Sequence, residues 1–184
     1  MYIWIGLIFN KKDEEYIRSI CKDINKNYNL DEVSFSLPQH ISLKTSFYID
    51  NYNEVINYIK KSLKENLSNI KVKINGITKI NNGVIWLDIE ENNKLRRIHN
   101  ILNDELLNKY NIPLKGFDGD KFKFHSTLFQ DKNIDESTND IIEKLKINLK
   151  LPIILDINEV NFGLSNSGNI GTYKVYDTLI LKRK

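Results

Sequence analysis

One succession of elements runs through this chain twice. Residues 12–27 place Ile17, Ile20, Cys21 and Ile24 on one face at helical spacing. Residues 40–48 suit a strand. Residues 51–66 suit a second helix, with Tyr52, Val55, Ile56, Ile59 and Leu63 inward and Asp50 as N-cap. Residues 70–80 and 83–90 follow as two strands, and Asn82-Gly83 supplies the positive φ of a hairpin turn. The order then returns. Helix 92–110 carries Leu95, Ile98, Leu102 and Leu106 on one stripe, and a loop with Pro113, Gly116 and Gly119 leads to strand 122–129. Helix 135–147 points Ile141, Ile142 and Leu145 inward. Segments 152–163 and 172–182 form a second strand pair around Ser167-Gly168-Asn169. Ahead of both units, residues 2–9 are β-branched and aromatic, as in a buried strand.

A duplicated unit of this kind predicts an α+β fold with two pseudo-symmetric lobes, each an antiparallel sheet with helices, around a central cleft. The halves are 1–90 and 91–184. No Ser/Gly-rich linker parts them, so we expect one bilobal domain over 1–184. A chain of 184 residues buries a core without disulfide or metal staples. The net charge of +3 is too small for a dedicated duplex-binding surface. The single cysteine excludes an internal disulfide framework and a cysteine-based zinc site. Its apolar helical setting marks Cys21 as a core thiol, and sparse cysteine fits a reducing compartment. The first nine residues are apolar but too few to span a membrane, and they lack the charged start of a signal peptide. We therefore expect a cytoplasmic protein without membrane contact. The chain has no alanine and is rich in Asn, Ile and Lys. We read this as coding bias.

The three histidines are not alike. His99 lies beside Arg96 and Arg97 at the edge of a helical stripe, where a surface or boundary role is expected. His40-Ile41-Ser42-Leu43 and His125-Ser126-Thr127-Leu128 share the pattern His-x-(Ser/Thr)-Leu, at matching places in the two units. Side chains alternate along a strand, so His40 and Ser42 share one face, as do His125 and Thr127. Ile41, Leu43 and Leu128 then anchor the strands in their cores. Two such strands facing each other present two imidazoles and two hydroxyls to one cleft. That set suits a tetrahedral phosphate. One imidazole accepts the proton of the attacking oxygen, and the other protonates the leaving oxygen. The hydroxyls bind the non-bridging oxygens. Pseudo-symmetry leaves open which histidine is base and which is acid.

Strand parity adds further candidates. Lys44 follows His40 and Ser42 on the same side, and Lys123 precedes His125, so both are candidates for drawing in an anion. Trp4, Trp86, Phe129 and Tyr173 are candidates for stacking a base, although strand aromatics more often fill cores. No His-Glu-x-x-His, cysteine pair or carboxylate cluster accompanies either motif, so neither metal nor other cofactor is expected.

The double motif resembles the 2H phosphoesterases, the group of 2′-5′ RNA ligase-like proteins and RNA 2′,3′-cyclic phosphodiesterases. Leu37-Pro38-Gln39-His40-Ile41-Ser42-Leu43-Lys44 is similar to their first motif, and Phe122-Lys123-Phe124-His125-Ser126-Thr127-Leu128 to their second. Gly83-Val84-Ile85-Trp86-Leu87 is similar to their mid-chain strand, and Gly171-Thr172-Tyr173 to the opening of their last one. The resemblance covers most of the chain. It implies a phosphodiesterase with His40 and His125 catalytic, and with the absence of metal-ligand motifs we expect a metal-independent enzyme and a monomer. Ser42, Thr127, Lys44, Lys123 and Tyr173 would bind substrate. That substrate would be a 2′,3′-cyclic phosphate on an RNA end, oligonucleotide or nucleotide, or a 2′-5′ linkage. Two alternatives stay open: a cyclic phosphodiesterase acting on a small metabolite, and an RNA-end-binding module without turnover.

Overall fold

The structure is a computed structural model that describes residues 1–66, 68–80, 83–135 and 138–182. These residues form eight strands and four α-helices. The first half holds β1 (Tyr2–Ile8), α1 (Lys11–Asn25), β2 (His40–Tyr48), α2 (Tyr52–Asn66), β3 (Ile70–Ile80) and β4 (Val84–Ile89). The second holds α3 (Asn93–Tyr110), β5 (His125–Gln130), α4 (Asn139–Asn148), β6 (Ile153–Ile157), β7 (Glu159–Ser165) and β8 (Lys174–Ile180). Asparagine caps fix two helix starts. Asn10 Oδ1 accepts from Asp13 N, and Asn92 Oδ1 accepts from Lys94 N and Leu95 N, all at 3.0 Å. The β3–β4 turn includes Asn82, which lies outside the described residues. Gly83 takes φ 77°, as the turn chemistry requires.

The strands form two four-stranded antiparallel sheets, ordered β2-β1-β7-β8 and β5-β4-β3-β6. This confirms the α+β, two-sheet architecture but not the division of the chain between its sheets. Each sheet takes two strands from 1–90 and two from 91–184. The cause is local. The expected single strand 152–163 is two strands, separated at Asn158. β6 pairs with β3, and β7 pairs with β1. The Asn158 carbonyl accepts Leu181 N at 2.7 Å instead of extending one ladder. Leu155 and Ile157 are buried on β6 and Val160 and Phe162 on β7, so the alternation shifts by one residue across the polar pair Asn158-Glu159, where the chain crosses from one sheet to the other. In both sheets the histidine-bearing strand is an edge and its neighbour carries a tryptophan, Trp4 on β1 and Trp86 on β4.

Helix α3 packs on β2 and α2, while α4 packs on β3 and α1. One continuous cluster of buried side chains, including Leu7, Leu43, Leu87 and Leu128, fills the interior. Among the described residues no helix is long and apolar enough to cross a membrane.

The two histidine-bearing edges are tied to each other. Gln39 is 4% exposed, and its Nε2 donates to Ser126 Oγ at 2.7 Å and to Thr127 O at 2.9 Å. Ser126 Oγ donates onward to His40 O at 2.5 Å. Ser34 Oγ also donates to Leu128 O at 3.0 Å. On the other side, α1 holds the lead into β2. Arg18 Nη1 donates to Phe35 O at 2.7 Å, Nη2 donates to Leu37 O, and Glu14 Oε1 accepts Gln39 N at 3.2 Å.

A second buried network lies behind β2. Lys44 Nζ donates to Asn103 Oδ1 at 2.8 Å and to Asp118 Oδ2 at 2.9 Å. His99 is not at a helix boundary. It is fully buried, with Nδ1 donating to Leu43 O at 2.7 Å and Nε2 accepting from Gly119 N and Asn103 Nδ2, both at 2.9 Å. The loop before β5 is thereby fastened to α3 and β2.

Two predictions concern stability. Gln39→Ala leaves the Thr127 carbonyl short of a buried donor, so urea unfolding should show a loss of about 1–3 kcal/mol. A loss below about 0.5 kcal/mol would mean that the tie between the sheets carries little. His99 accepts two donors at Nε2 and must be neutral. Burial lowers its pKa, as does nearby Arg96, against the raising effect of the Leu43 carbonyl. In the unfolded chain the ring titrates near about 6.5, so below that pH the unfolded state binds more protons than the native state. Stability from this group is complete above about 6.5 and is lost as pH falls below it, by up to about 1.4 kcal/mol per pH unit. The depressed pKa values of His40 and His125 act with the same sign. His99→Gln should make the acid-side loss shallower in denaturation series between pH 7.5 and 5. An unchanged slope would contradict a neutral native His99.

Candidate active site

The first half of the site is built on β1 and β2. His40 lies opposite Ile8, and Ser42 opposite Gly6. Trp4 shares their face. Its ring meets His40 edge-on at 4.7 Å and 76°, and its Nε1 donates to Ser42 Oγ at 2.9 Å. That bond occupies an oxygen lone pair and leaves the Ser42 O–H free to donate. The indole lies flat only because Gly6 has no side chain. A Cβ there would come within 2.1 Å of Trp4 Cζ2.

The second half is built on β4 and β5. Asp88 stands opposite His125, and Trp86 opposite Thr127. Facing residues of an antiparallel pair share a side, so all four project together. Trp86 stacks on His125 at 4.1 Å and 30°. Trp86 Nε1 donates to Asp88 Oδ1 at 3.0 Å, and Thr78 Oγ1 donates to Asp88 Oδ2 at 2.8 Å.

Both imidazoles are oriented in the same way. His40 Nδ1 donates to Pro38 O, and His125 Nδ1 donates to Lys123 O, each at 2.8 Å. A carbonyl only accepts, so Nδ1 carries a proton in both rings and Nε2 is the atom left for chemistry. A neutral ring then offers an acceptor at Nε2, and a protonated ring offers a donor. Burial lowers both pKa values. The i−2 carbonyl counters it in each ring, His125 and Arg18 lower His40 further, and Asp88 raises His125. The Ser126 bond to the His40 carbonyl brings the two motifs side by side. Such a pair can take one proton and give another across a bound anion.

The remaining expected residues divide. Tyr173 is half-buried and lines a small cavity with Trp4, Pro38, His40 and Lys174. Lys123 is exposed, two residues before His125. Lys44 is not on the cleft face. The ladder pairs Gly6 with Ser42 but Ile5 with Lys44, so β2 carries an extra residue there. This bulge turns Lys44 inward, where it is 2% exposed and ion-paired to Asp118, and it breaks the parity expected along the strand. Phe129 is fully buried, edge-on to Phe35, and belongs to the core. Sequence reasoning missed Gln39, Ser126 and Asp88. An acidic residue at the Trp86 parity of an otherwise apolar strand is the signal that marks Asp88. Nothing in the sequence pairs Gln39 with Ser126. Among the described residues, no group of three or more His, Cys, Asp or Glu side chains converges as a metal site would.

Comparison with solved structures finds the same fold at low identity. The Thermus thermophilus protein TT0787 aligns with TM-score 0.66 at 13% identity over 100% of each chain. Escherichia coli LigT, in its complex with 3′-AMP, aligns with TM-score 0.63 at 10% identity over 98% of each chain. Kluyveromyces marxianus Usb1 aligns with TM-score 0.55 at 15% identity over 98% of each chain. No curated protein matches the sequence. The model of the 2′-5′ RNA ligase superfamily matches residues 15–168, a span that includes both histidine motifs and the strands that carry them. With that match over most of its length, the chain belongs to the 2′-5′ RNA ligase superfamily, the 2H phosphoesterases.

Proposed function

We propose that the protein is a metal-independent phosphodiesterase that opens a 2′,3′-cyclic phosphate on an RNA end, oligonucleotide or nucleotide, or cleaves a 2′-5′ linkage. One observation carries this reading: two imidazoles on adjoining strand edges, each with Nδ1 held by the carbonyl two residues back and Nε2 left for proton transfer. In the proposed step, a water oxygen bonds to phosphorus while the bond from phosphorus to a ribose oxygen breaks. The water proton passes to the neutral imidazole, and the protonated imidazole gives its proton to the leaving ribose oxygen. Exchange with solvent resets both rings. Ser42 and Thr127 donate to the non-bridging oxygens as their charge grows. Lys123 adds positive potential at the rim, and Tyr173 with Trp4 offers an aromatic surface for a base. A nucleotide ligand is supported by the 3′-AMP complex of the LigT fold. Both imidazoles come from one chain, which supports action as a monomer, and the single, buried free cysteine supports a place in the cytoplasm. A screen of cyclic and 2′-5′ phosphodiesters, with products identified by phosphorus NMR, tests the reading. A protein that retains cyclic-ended RNA without converting it would be a binding module instead.

Two further outcomes are expected. His40→Ala and His125→Ala should each lower turnover by roughly 10²–10⁴-fold with the fold intact by circular dichroism. The double variant should lose less than the product of the two factors, because the two groups serve one step. Ser42→Ala and Thr127→Val should each cost about 1–3 kcal/mol of transition-state stabilisation. Near-normal turnover in both histidine variants would exclude the mechanism. The second outcome is a bell-shaped pH profile of kcat/KM. Burial pushes both imidazoles down, so the limb on which the acid loses its proton arrives early. The maximum should therefore lie on the acid side of about pH 6.5, the ordinary imidazole value. A maximum above about pH 7.5 would contradict depressed pKa values in the free enzyme.

A further inference from the structure

The two halves of the site are not equivalent. We infer that Asp88, acting through Trp86 and across the β4–β5 ladder, is a positioning residue that makes His125 the general acid and leaves His40 as the general base. This deepens the proposed function and rests on it.

Three geometric differences point the same way. His125 is stacked face to face on the Trp86 indole at 4.1 Å and 30°, whereas His40 meets Trp4 edge-on at 4.7 Å and 76°. An imidazolium stacked on the face of an indole is stabilised by the negative potential of that face. The Trp86 N–H donates to the Asp88 carboxylate at 3.0 Å, which pushes electron density into the ring under His125. The Trp4 N–H donates to the neutral Ser42 hydroxyl and has no such effect. Asp88 is itself the ladder partner of His125. Thr78 Oγ1 steadies its carboxylate at 2.8 Å, and the bare Gly76 makes room for it, since a Cβ there would lie 2.7 Å from Asp88 Oδ2.

The charged groups around each ring agree. Asp88 on β4 raises the His125 pKa against burial. Around His40 stand Arg18 and Glu14 on α1 and His125 on β5. Arg18 and His125 lower its pKa, and Glu14 raises it. Glu14 and the Arg18 guanidinium pair at 2.7 Å, so their opposite effects on His40 largely offset each other, and among the described residues no carboxylate equivalent to Asp88 acts on that ring alone. A positive charge is therefore better accommodated on His125. His125 Nε2–H would protonate the leaving ribose oxygen, while His40 Nε2 takes the water proton.

Asp88→Asn keeps the shape and an acceptor for Trp86 but removes the charge. Imidazole titrations of the labelled full chain by NMR should show the wild-type His125 pKa above that of His40. In Asp88→Asn the His125 pKa should fall and that of His40 should hold. Turnover should show the loss of an acid. The variant should slow a diester with a ribose leaving group by roughly tenfold or more, but a p-nitrophenyl diester, whose leaving group needs no proton, by less than about threefold. Trp86→Phe, which keeps an aromatic ring without the N–H link, should shift both readouts in the same direction by less. An unmoved His125 pKa in Asp88→Asn would overturn the proposal. So would a leaving-group dependence in His40→Ala matching that of His125→Ala in size and direction. If the wild type turned over no phosphodiester, the functional reading would fall, and the titrations would still decide whether Asp88 holds the charge on His125.

Discussion

The site depends on a tie between two sheet edges. In each sheet one edge strand, with no further ladder partner on its outer side, carries a histidine motif: β2 with His40 and β5 with His125. A direct ladder between them would have merged the sheets and closed the cleft. Instead, side chains make the connection. Gln39 reaches Ser126 and the Thr127 carbonyl, and Ser126 reaches the His40 carbonyl. Each bond in this chain is buried or partly so, where a lost partner costs more than the bond contributes in water. The residues that make the tie are sequence neighbours of the groups they position. Gln39 precedes His40, and Ser126 follows His125. Strand alternation thus turns one residue of each pair toward its partner strand and the other toward the cleft.

Behind the cleft, buried polar groups hold the loop that leads into β5. An ion pair such as Lys44–Asp118 is costly to desolvate and gains little over apolar packing. Its contribution here is geometric. Asp118 also accepts Thr45 N at 3.0 Å and Lys115 N at 3.1 Å, so one carboxylate joins the β2 bulge to the loop. His99 completes the same junction from α3. The backbone on both sides of the bulge is held, and the switch of Lys44 from one face to the other is stabilised by the partners that it finds there.

The glycines of the cleft serve the aromatic and acidic side chains beside them. Gly6 gives the Trp4 indole a flat floor, and Gly76 gives the Asp88 carboxylate its place. In both sheets the tryptophan stands on the strand next to the histidine, but the indole N–H goes to a hydroxyl in one and to a carboxylate in the other. A pseudo-symmetric backbone therefore carries an asymmetric electrostatic environment. A reaction that takes a proton at one end and gives one at the other is served by that difference, since it favours one protonation state of the pair over the other.

Much of this was legible in the chain itself. Strands 40–48 and 70–80 and the helical stripes follow from local periodicity, because a side chain's face depends only on its own backbone. The His-x-(Ser/Thr) pairs follow for the same reason, since a spacing of two on a strand sets both groups on one side. The features that local pattern did not reveal are matters of pairing. The split at Asn158, the bulge that inverts Lys44, the burial of His99 and the contact of Gln39 with Ser126 each depend on which distant strand lies alongside. Local pattern is blind to that choice, because a strand shows the same alternation whichever partner it pairs with, and an inserted residue changes which side chains share a face. The order of residues pointed to the groups proposed for chemistry. The packing of two sheet edges established which of them meet, and the neighbours that they acquired there made the two histidines different.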